Sequence, residues 1–110
     1  MFGNKSKITN EYITDFINYL QKENKITQER IDSKLELKKS FEKEIELSEE
    51  YIESVSEDLP ESFLTLLENT MIIARQQSIE GLDIDIRYLN IDIEDRYEVI
   101  KVLEEVVQNK

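Results

Sequence analysis

Carboxylates are the residues in this sequence whose number and spacing could do chemistry. Asp and Glu together make up 25 of the 110 residues, whereas cysteine and histidine are absent. Without a thiol or an imidazole, the chain has no Ser-His or Cys-His nucleophile, no disulfide and no zinc site built from those ligands. Two uses of the carboxylates remain, which are binding of a hard cation and electrostatic attraction of a basic partner.

One carboxylate pattern could hold magnesium. The segment Glu49-Glu50-Tyr51-Ile52-Glu53 is followed, after an interval of helical length, by Glu80-Gly81-Leu82-Asp83. The two segments resemble the EExxE and ExxD elements of the all-α nucleotide pyrophosphatases, and the resemblance implies carboxylates that hold magnesium against a nucleotide triphosphate. If residues 59–60 form a turn between antiparallel helices, however, the segments lie roughly 20 Å apart along the helix axis. We therefore predict no enzyme, no catalytic residue, no metal and no cofactor, and keep this enzyme as the last alternative.

Attraction of a basic partner is favoured by the uneven charge. The chain has a formal net charge of −11, and residues 42–58 contain eight acidic side chains and a single lysine. This run is interpreted either as the solvated face of an ordinary helix or as a binding surface for a basic protein. The predicted partner-binding residues are four glutamates with two apolar anchors: Glu46, Glu49, Glu50, Glu53, Tyr51 and Ile72.

Composition also argues against several partners and locations. A strongly negative chain is a poor match for bare nucleic acid or an anionic membrane, since both require clustered Lys and Arg. No run approaches the ~18 apolar residues of a membrane span, and the first residues lack the apolar core of a signal peptide. We therefore expect a cytoplasmic protein. The abundance of Ile, Lys, Glu and Asn is typical of AT-rich genomes, including those of mobile elements.

The elements that must position these residues are helices. Two glycines and one proline are too few turn residues for an all-β fold. The length fits one domain, and we expect a single helical domain over residues 1–110, with residues 1–8 as a flexible N-terminal segment. The predicted fold is mainly α, either an antiparallel helical hairpin or a small bundle of about four helices.

The helix boundaries follow from apolar spacing and from a few capping and breaking residues. A first helix is predicted over about residues 10–23, and residues 24–27 are interpreted as a break before a long second helix. Pro60 restarts the chain as a third helix that ends near Ser78. The first helix is predicted from one apolar stripe: Tyr12, Ile13, Phe16, Ile17 and Leu20.

The second helix can be written in heptads from Ile31 onward. Polar residues interrupt the two apolar sets, so the pattern is weaker than that of a long coiled coil. The sets are Ile31, Lys38, Ile45, Ile52 and Leu59, and Lys34, Phe41, Ser48 and Val55. In the third helix, Ile72 falls on the face that should be polar. This position indicates either a helix covered on nearly all sides or a contact outside the monomer.

The region after Gly81, which is interpreted as a helix stop, has two interpretations. Residues 82–90 alternate apolar and polar residues, as a strand does, but they also belong to a continuous helical stripe. The helix is preferred because no second strand is evident, and a terminal helix is expected from Asp92 in either case. The stripe is Ile79, Leu82, Ile86, Leu89, Ile93, Tyr97, Ile100, Leu103 and Val107.

These features predict a non-enzymatic, acidic, helical protein-binding module. Its expected role is that of an inhibitor or regulator, such as an antitoxin, an immunity protein or a phage-type inhibitor, which occupies a basic or nucleic-acid-handling partner protein. The alternative is a self-assembling, coiled-coil-like scaffold or adaptor, in the simplest case a homodimer, built from the long helix and the stripe over residues 79–107.

Overall fold

The chain is almost entirely helical, as predicted. The computed structural model describes the backbone of residues 2–108 and the side chains of residues 9–108. No described residue lies in a strand. The flexible segment predicted at residues 1–8 lies outside the described side chains and stays a prediction. The elements in chain order are helix α1, Phe2–Val55; helix α2, Glu61–Glu68; a π-helical segment, Asn69–Ile73; and helix α3, Ala74–Gln108.

Residues 56–60 are the one described stretch of backbone outside a helix. The stretch ends at Pro60, whose φ of −59° and ψ of 146° are extended and stop α1 from continuing into α2. The amides of Phe63 and Leu64 donate to the Pro60 carbonyl at 3.0 and 3.1 Å and thereby start the next helix. The restart predicted at Pro60 is therefore confirmed.

The predicted bundle of about four helices is wrong, because the chain forms two long helices. The break expected at residues 24–27 is absent, and α1 passes through it without interruption. Asn24 and Thr27 resemble capping residues in the sequence, but the Thr27 hydroxyl donates to the Glu23 carbonyl at 2.9 Å inside the helix. A Thr that bonds back to the preceding turn need not end a helix.

Gly81 also lies inside a helix. A glycine ends a helix by adopting a positive φ, and no glycine in the described backbone does so. α3 therefore continues from Ala74 to Gln108, and the strand alternative for residues 82–90 is wrong. None of the described helices combines the length and the apolarity that a membrane span requires.

Apart from Glu23 and Glu44, the buried or half-buried residues that the structure describes in the two long helices recur at alternating intervals of three and four. We call these positions the seam, by analogy with the a and d positions of a coiled coil. The seam of α1 is Asn10, Ile13, Ile17, Leu20, Asn24, Thr27, Ile31, Lys34, Lys38, Phe41, Ile45, Ser48, Ile52 and Val55. The seam of α3 is Arg75, Ile79, Leu82, Ile86, Leu89, Ile93, Arg96, Ile100, Leu103 and Val107.

The seam confirms the predicted heptads from Ile31 to Val55 and extends them back to Asn10 across the expected break. The last predicted position, Leu59, is wrong because it lies beyond the end of α1. It corrects the predicted stripe of the last helix at one position. Tyr97 is 60% exposed, and Arg96 lies inward instead. It also divides the predicted stripe of the first helix, because Tyr12 and Phe16 are exposed whereas their neighbours Ile13 and Ile17 face inward.

The π-helical segment explains the unexpected position of Ile72. A π turn adds one residue to a helix and so rotates everything after it by about 100° relative to everything before it. Leu64 and Leu67, before the segment, and Met71, within it, are half-buried at intervals of three and four. From Ile72, also within the segment, an interval of three leads to Arg75, the first seam residue of α3. Met71 and Ile72 are both half-buried because the two registers meet at them.

The long-range contacts divide the chain into two compact units. Unit 1 comprises Met1–Ile31 and Tyr88–Lys110, and unit 2 comprises Asp32–Arg87. The prediction of a single domain is not tested by this division and stays a prediction.

Unit 1 has a small apolar core and one buried polar group. Ile17, Leu20 and Ile100 form the buried cluster, and no described side chain of the protein is fully buried. Next to this cluster, the Arg96 guanidinium donates to the Thr27 hydroxyl at 2.9 Å and, at 3.4 Å, to the amide oxygen of Asn24. Since residues 17–27 meet residues 96–100 in descending order, the two helices of this unit are antiparallel.

Unit 2 has charged residues on its seam. Lys38 donates to Asp83 at 2.8 Å, and Lys34 approaches Asp85 at 3.4 Å. Arg75, at the start of α3, pairs with Glu44 and also donates to the carbonyl of Met71 at 3.2 Å. These pairs again join α1 to α3 in antiparallel order, and their side chains are partly exposed.

Candidate protein-binding surfaces

The seam determines which side chains of unit 2 face outward. A residue that follows a seam position is rotated by about 100° to one side of the helix, and a residue that precedes it is rotated to the other side. In α1 of unit 2, the residues that follow four consecutive seam positions are all exposed glutamates: Glu42, Glu46, Glu49 and Glu53. The local heptad therefore turns the acidic run of the sequence into a straight line along one side of the helix.

Four of the predicted partner-binding residues lie together on this surface. Glu46, Glu49 and Glu53 follow seam positions, and Glu50 lies on the outermost part of α1; we call these four residues the acidic stripe. Glu46 and Glu53 are seven positions apart, which corresponds to ~10 Å along the helix axis. Among the described side chains, no ion pair includes any of the four.

One carboxylate of α2 lies on the same side of unit 2 as the acidic stripe. In an antiparallel pair, the residues that follow the seam lie on the same side in both helices. Glu68 follows Leu67 and is exposed. Glu80 and Asp83 of α3 also follow seam positions, but they lie roughly 15–20 Å farther along the pair, and Asp83 is bonded to Lys38.

The two predicted anchors are not brought to this side. Tyr51 is 52% exposed, but it precedes the seam residue Ile52 and so lies on the other side of α1. Ile72 is half-buried in the π-helical segment, three residues before the first seam residue of α3, Arg75. The six predicted residues therefore do not form one surface.

The magnesium-binding arrangement implied by the two acidic segments is not assembled. Glu44 lies opposite Arg75 and Lys38 opposite Asp83, so Glu49–Glu53 and Glu80–Asp83 are displaced by roughly 15–20 Å along the antiparallel helices. No group of three or more carboxylates in the described part of the chain is close enough to hold a metal ion. One carboxylate of the second segment, Asp83, is instead bonded to a lysine.

Within the described part of the chain, Lys38 is the titratable group whose pKa departs clearly from its ordinary value of 10.5. The hydrogen bond from its ammonium to Asp83 raises the pKa, desolvation lowers it, and the negative charges of Asp83 and Glu42 raise it, so that the pKa lies above its ordinary value. The shift favours the protonated, ion-paired form of Lys38 at neutral pH. It does not prepare the amine to act as a base.

A second surface, in unit 1, was missed by the sequence analysis. In residues 12–20 and 99–107, the residues that precede the seam are apolar on both helices and are exposed, with Tyr12 73% and Val102 56% accessible. Farther along the same side the preceding residues include the charged Glu23, Asp92 and Asp95. Phe16 and Tyr19 stack, with 6.1 Å between their ring centroids. We call this surface the aromatic–valine face; its residues are Tyr12, Phe16, Tyr19, Val99, Val102 and Val106.

The opposite side of unit 1 shows that this face is selective. The residues that follow the same six seam positions are all polar: Thr14, Asn18, Gln21, Lys101, Glu104 and Gln108. The signal was present in the sequence, since apolar residues come in adjacent pairs such as Tyr12-Ile13, Phe16-Ile17 and Val102-Leu103. A pair of this kind at each heptad step indicates two apolar stripes about 100° apart, rather than one broad stripe.

A smaller exposed apolar group lies near the bend of unit 2, which is the non-helical stretch of residues 56–60. Leu47 and Tyr51 of α1 precede the seam, and Phe63 and Leu66 of α2 precede Leu64 and Leu67. All four are therefore on the side of unit 2 that is opposite the acidic stripe.

In comparisons with known proteins, no family model, no curated protein and no solved structure matched this chain.

Proposed function

We propose that this chain is a non-enzymatic helical protein-binding module, which acts in the cytoplasm by occupying a partner protein with a basic surface. Inhibitors, antitoxins and immunity proteins act in this way. The observation that supports the proposal is the acidic stripe, a line of exposed carboxylates with Glu68 of α2 on the same side of the unit.

The stripe is electrostatically unfavourable in the isolated chain. Glu46 with Glu50, and Glu49 with Glu53, are like charges four residues apart, and each such pair destabilises a helix by about 0.2–0.5 kcal/mol. Nothing in the described part of unit 2 neutralises them. A basic partner would relieve this repulsion, and the summed negative field would accelerate the encounter.

Charge reversal with a matched control tests the proposal. The full-length chain is immobilised, a basic protein is captured from a host lysate at low salt, and the association rate of that purified protein is measured. The test variant is Glu49→Lys/Glu50→Lys/Glu53→Lys. The control is Glu11→Lys/Glu94→Lys/Glu104→Lys, which makes the same change in net charge on exposed residues of unit 1.

We expect the test variant to slow association at least tenfold at low salt and to flatten the salt dependence, because steering charges act before contact. The control should change the rate less than threefold. An unchanged rate in the test variant, or equal losses in both variants, would contradict the assignment of binding to the stripe.

A further inference from the structure

The aromatic–valine face of unit 1 identifies a different interaction. We propose that it is the interface of a homodimer, in which two copies of unit 1 pack face to face as a four-helix bundle. This inference is independent of the acidic stripe, which lies in unit 2 and is chemically unlike this face.

The angle between the two apolar stripes fits the corner of a four-helix bundle. Each helix of unit 1 directs its seam toward the other helix and carries a second stripe about 100° away. A helix at the corner of a four-helix bundle contacts two neighbours at nearly that angle. One chain supplies two such helices, so a second copy completes the bundle.

The face presents a sizeable apolar area. A whole aromatic side chain presents about 150–250 Å², so the exposed fractions of Tyr12, Phe16 and Tyr19 leave roughly 260–440 Å² on each copy, to which the three valines add. A standard interface takes ~800 Å² from each partner. The face can therefore supply a large part of the area that a stable dimer needs.

The aromatic stripe of one copy is complementary to the valine stripe of a second copy. The aromatic stripe lies on α1 and the valine stripe lies on α3, and the contact of Ile100 with Ile17 and Leu20 shows that the two stripes are at the same height. A twofold axis parallel to the helices places the aromatic stripe of each copy over the valine stripe of the other. Large rings thus meet small side chains twice, as an isologous interface requires.

Unit 1 has a small core that a second copy would enlarge. Its apolar cluster consists of three buried side chains. A partner that covers this face and stabilises the fold must be present whenever the chain is folded. A second copy of the chain meets this requirement, because its binding stabilises the folded state by mass action. None of the six residues is charged, so the net charge of −11 does not oppose the contact at the face itself.

Mass measurement of the full chain tests the dimer. Light scattering on a sizing column should show a dimer for the wild type, and added salt should strengthen it because the two negative chains repel less. This response is opposite to that of binding through the acidic stripe, so failure of one proposal is distinguishable from failure of the other. A wild-type chain that stays monomeric at every concentration and salt concentration would overturn the dimer. The face would then be assigned to a different protein partner.

Matched substitutions locate the interface. Phe16→Glu and Val102→Glu should each weaken dimerisation at least tenfold, whereas Asn18→Glu and Gln108→Glu, on the opposite side, should change it less than threefold. Circular dichroism verifies that each variant remains helical. Equal effects on both sides would overturn the assignment.

Cysteine pairing gives a second measurement without a charged substitution, since the natural chain contains no cysteine. Phe16→Cys and Val102→Cys chains are mixed and oxidised, and the masses of the disulfide-linked products are determined. The mixed product should exceed each product of a chain with itself, whereas Asn18→Cys with Lys101→Cys should give little cross-linking. Predominant self-pairing of the Phe16→Cys chain would contradict the proposed axis.

Discussion

In unit 1 the polar seam residues Asn24 and Thr27 are buried and bonded to Arg96, whereas in unit 2 the seam lysines Lys34 and Lys38 extend to carboxylates at the surface. Buried polar groups are costly to leave without partners, and exposed ion pairs contribute little. The polar seam residues of unit 1 therefore fix which residues of α1 and α3 face each other. The seam lysines of unit 2 instead keep their charged groups in contact with water and interrupt the apolar seam.

The outer surfaces of the two units also differ in polarity. Unit 1 turns apolar residues outward on one side, and unit 2 turns carboxylates outward on the side that follows its seam. Covering apolar surface adds stability, whereas a line of like charges adds reach and rate. The comparison therefore favours self-association for unit 1 and an encounter surface for unit 2.

The largest expected effect separates the units by their tolerance of a one-residue deletion. Deleting the exposed Thr70 in unit 2 removes the extra residue of the π-helical segment and restores alternating steps of three and four from Leu64 to Ile79. Deleting Glu94 in unit 1 instead rotates every later seam residue, including Ile100, out of the core. We expect the first deletion to change the free energy of unfolding by less than about 1 kcal/mol and the second to lower it by about 3–5 kcal/mol.

Urea unfolding followed by circular dichroism, at one fixed protein concentration, measures both deletions. If deletion of Thr70 is as damaging as deletion of Glu94, the π-helical segment is not a simple insertion in the register.

A smaller effect concerns the buried polar group of unit 1. Arg96→Met leaves the amide oxygen of Asn24 and the hydroxyl of Thr27 without their donor, and should lower the free energy of unfolding by about 1–3 kcal/mol. The exposed counterpart in unit 2, Lys34→Met, should change it by less than about 0.5 kcal/mol. Urea unfolding of the two variants at neutral pH makes the comparison.

Replacing the whole polar group separates its two roles. The amide nitrogen of Asn24 is buried without a partner even in the natural chain. The triple variant Asn24→Leu/Thr27→Val/Arg96→Leu should therefore be at least as stable as the wild type, at the expense of a uniquely defined register. A triple variant less stable than Arg96→Met alone would show that the group is stabilising in itself.

The smallest effect tests the helix content of unit 2. Gly81 lies exposed inside α3 with a helical φ, and no atom lies within 4 Å of an added Cβ. Gly81→Ala should raise the free energy of unfolding by about 0.5–1 kcal/mol, and Ser78→Gly, one turn earlier, should lower it by a similar amount. Thermal unfolding of the pair checks the sign. Destabilisation by Gly81→Ala would reveal a close approach by another molecule at this position.

Several features of the fold could be predicted from local chemistry. Pro60 cannot continue a helix, so the bend was evident from one residue. The heptads from Ile31 to Val55 were evident because each turn repeats the same spacing, even with lysines at two seam positions. The exposure of the acidic stripe followed from the same spacing, since glutamates that follow consecutive seam residues must lie outside it.

Other features depended on partners distant in the sequence. Asn24 and Thr27 indicate a break until Arg96 is placed against them, and Gly81 indicates a stop until Ile79 and Leu82 both prove to lie on the seam. The split between Tyr12-Phe16 and Ile13-Ile17 required the second helix, because a wide apolar stripe does not show by itself which edge will be covered.

The sequence by itself determined the helical class, the bend at Pro60, the absence of cysteine and histidine chemistry, and the location of the acidic run. These properties depend on composition and on interactions within one or two helical turns. Only the tertiary structure decided the number of helices, the inward position of Ile72 and the separation of two apolar stripes in unit 1. These properties depend on which face of α1 meets the returning helices, and that choice is made by contacts between residues such as Glu44 and Arg75, 31 positions apart, and Asn24 and Arg96, 72 positions apart.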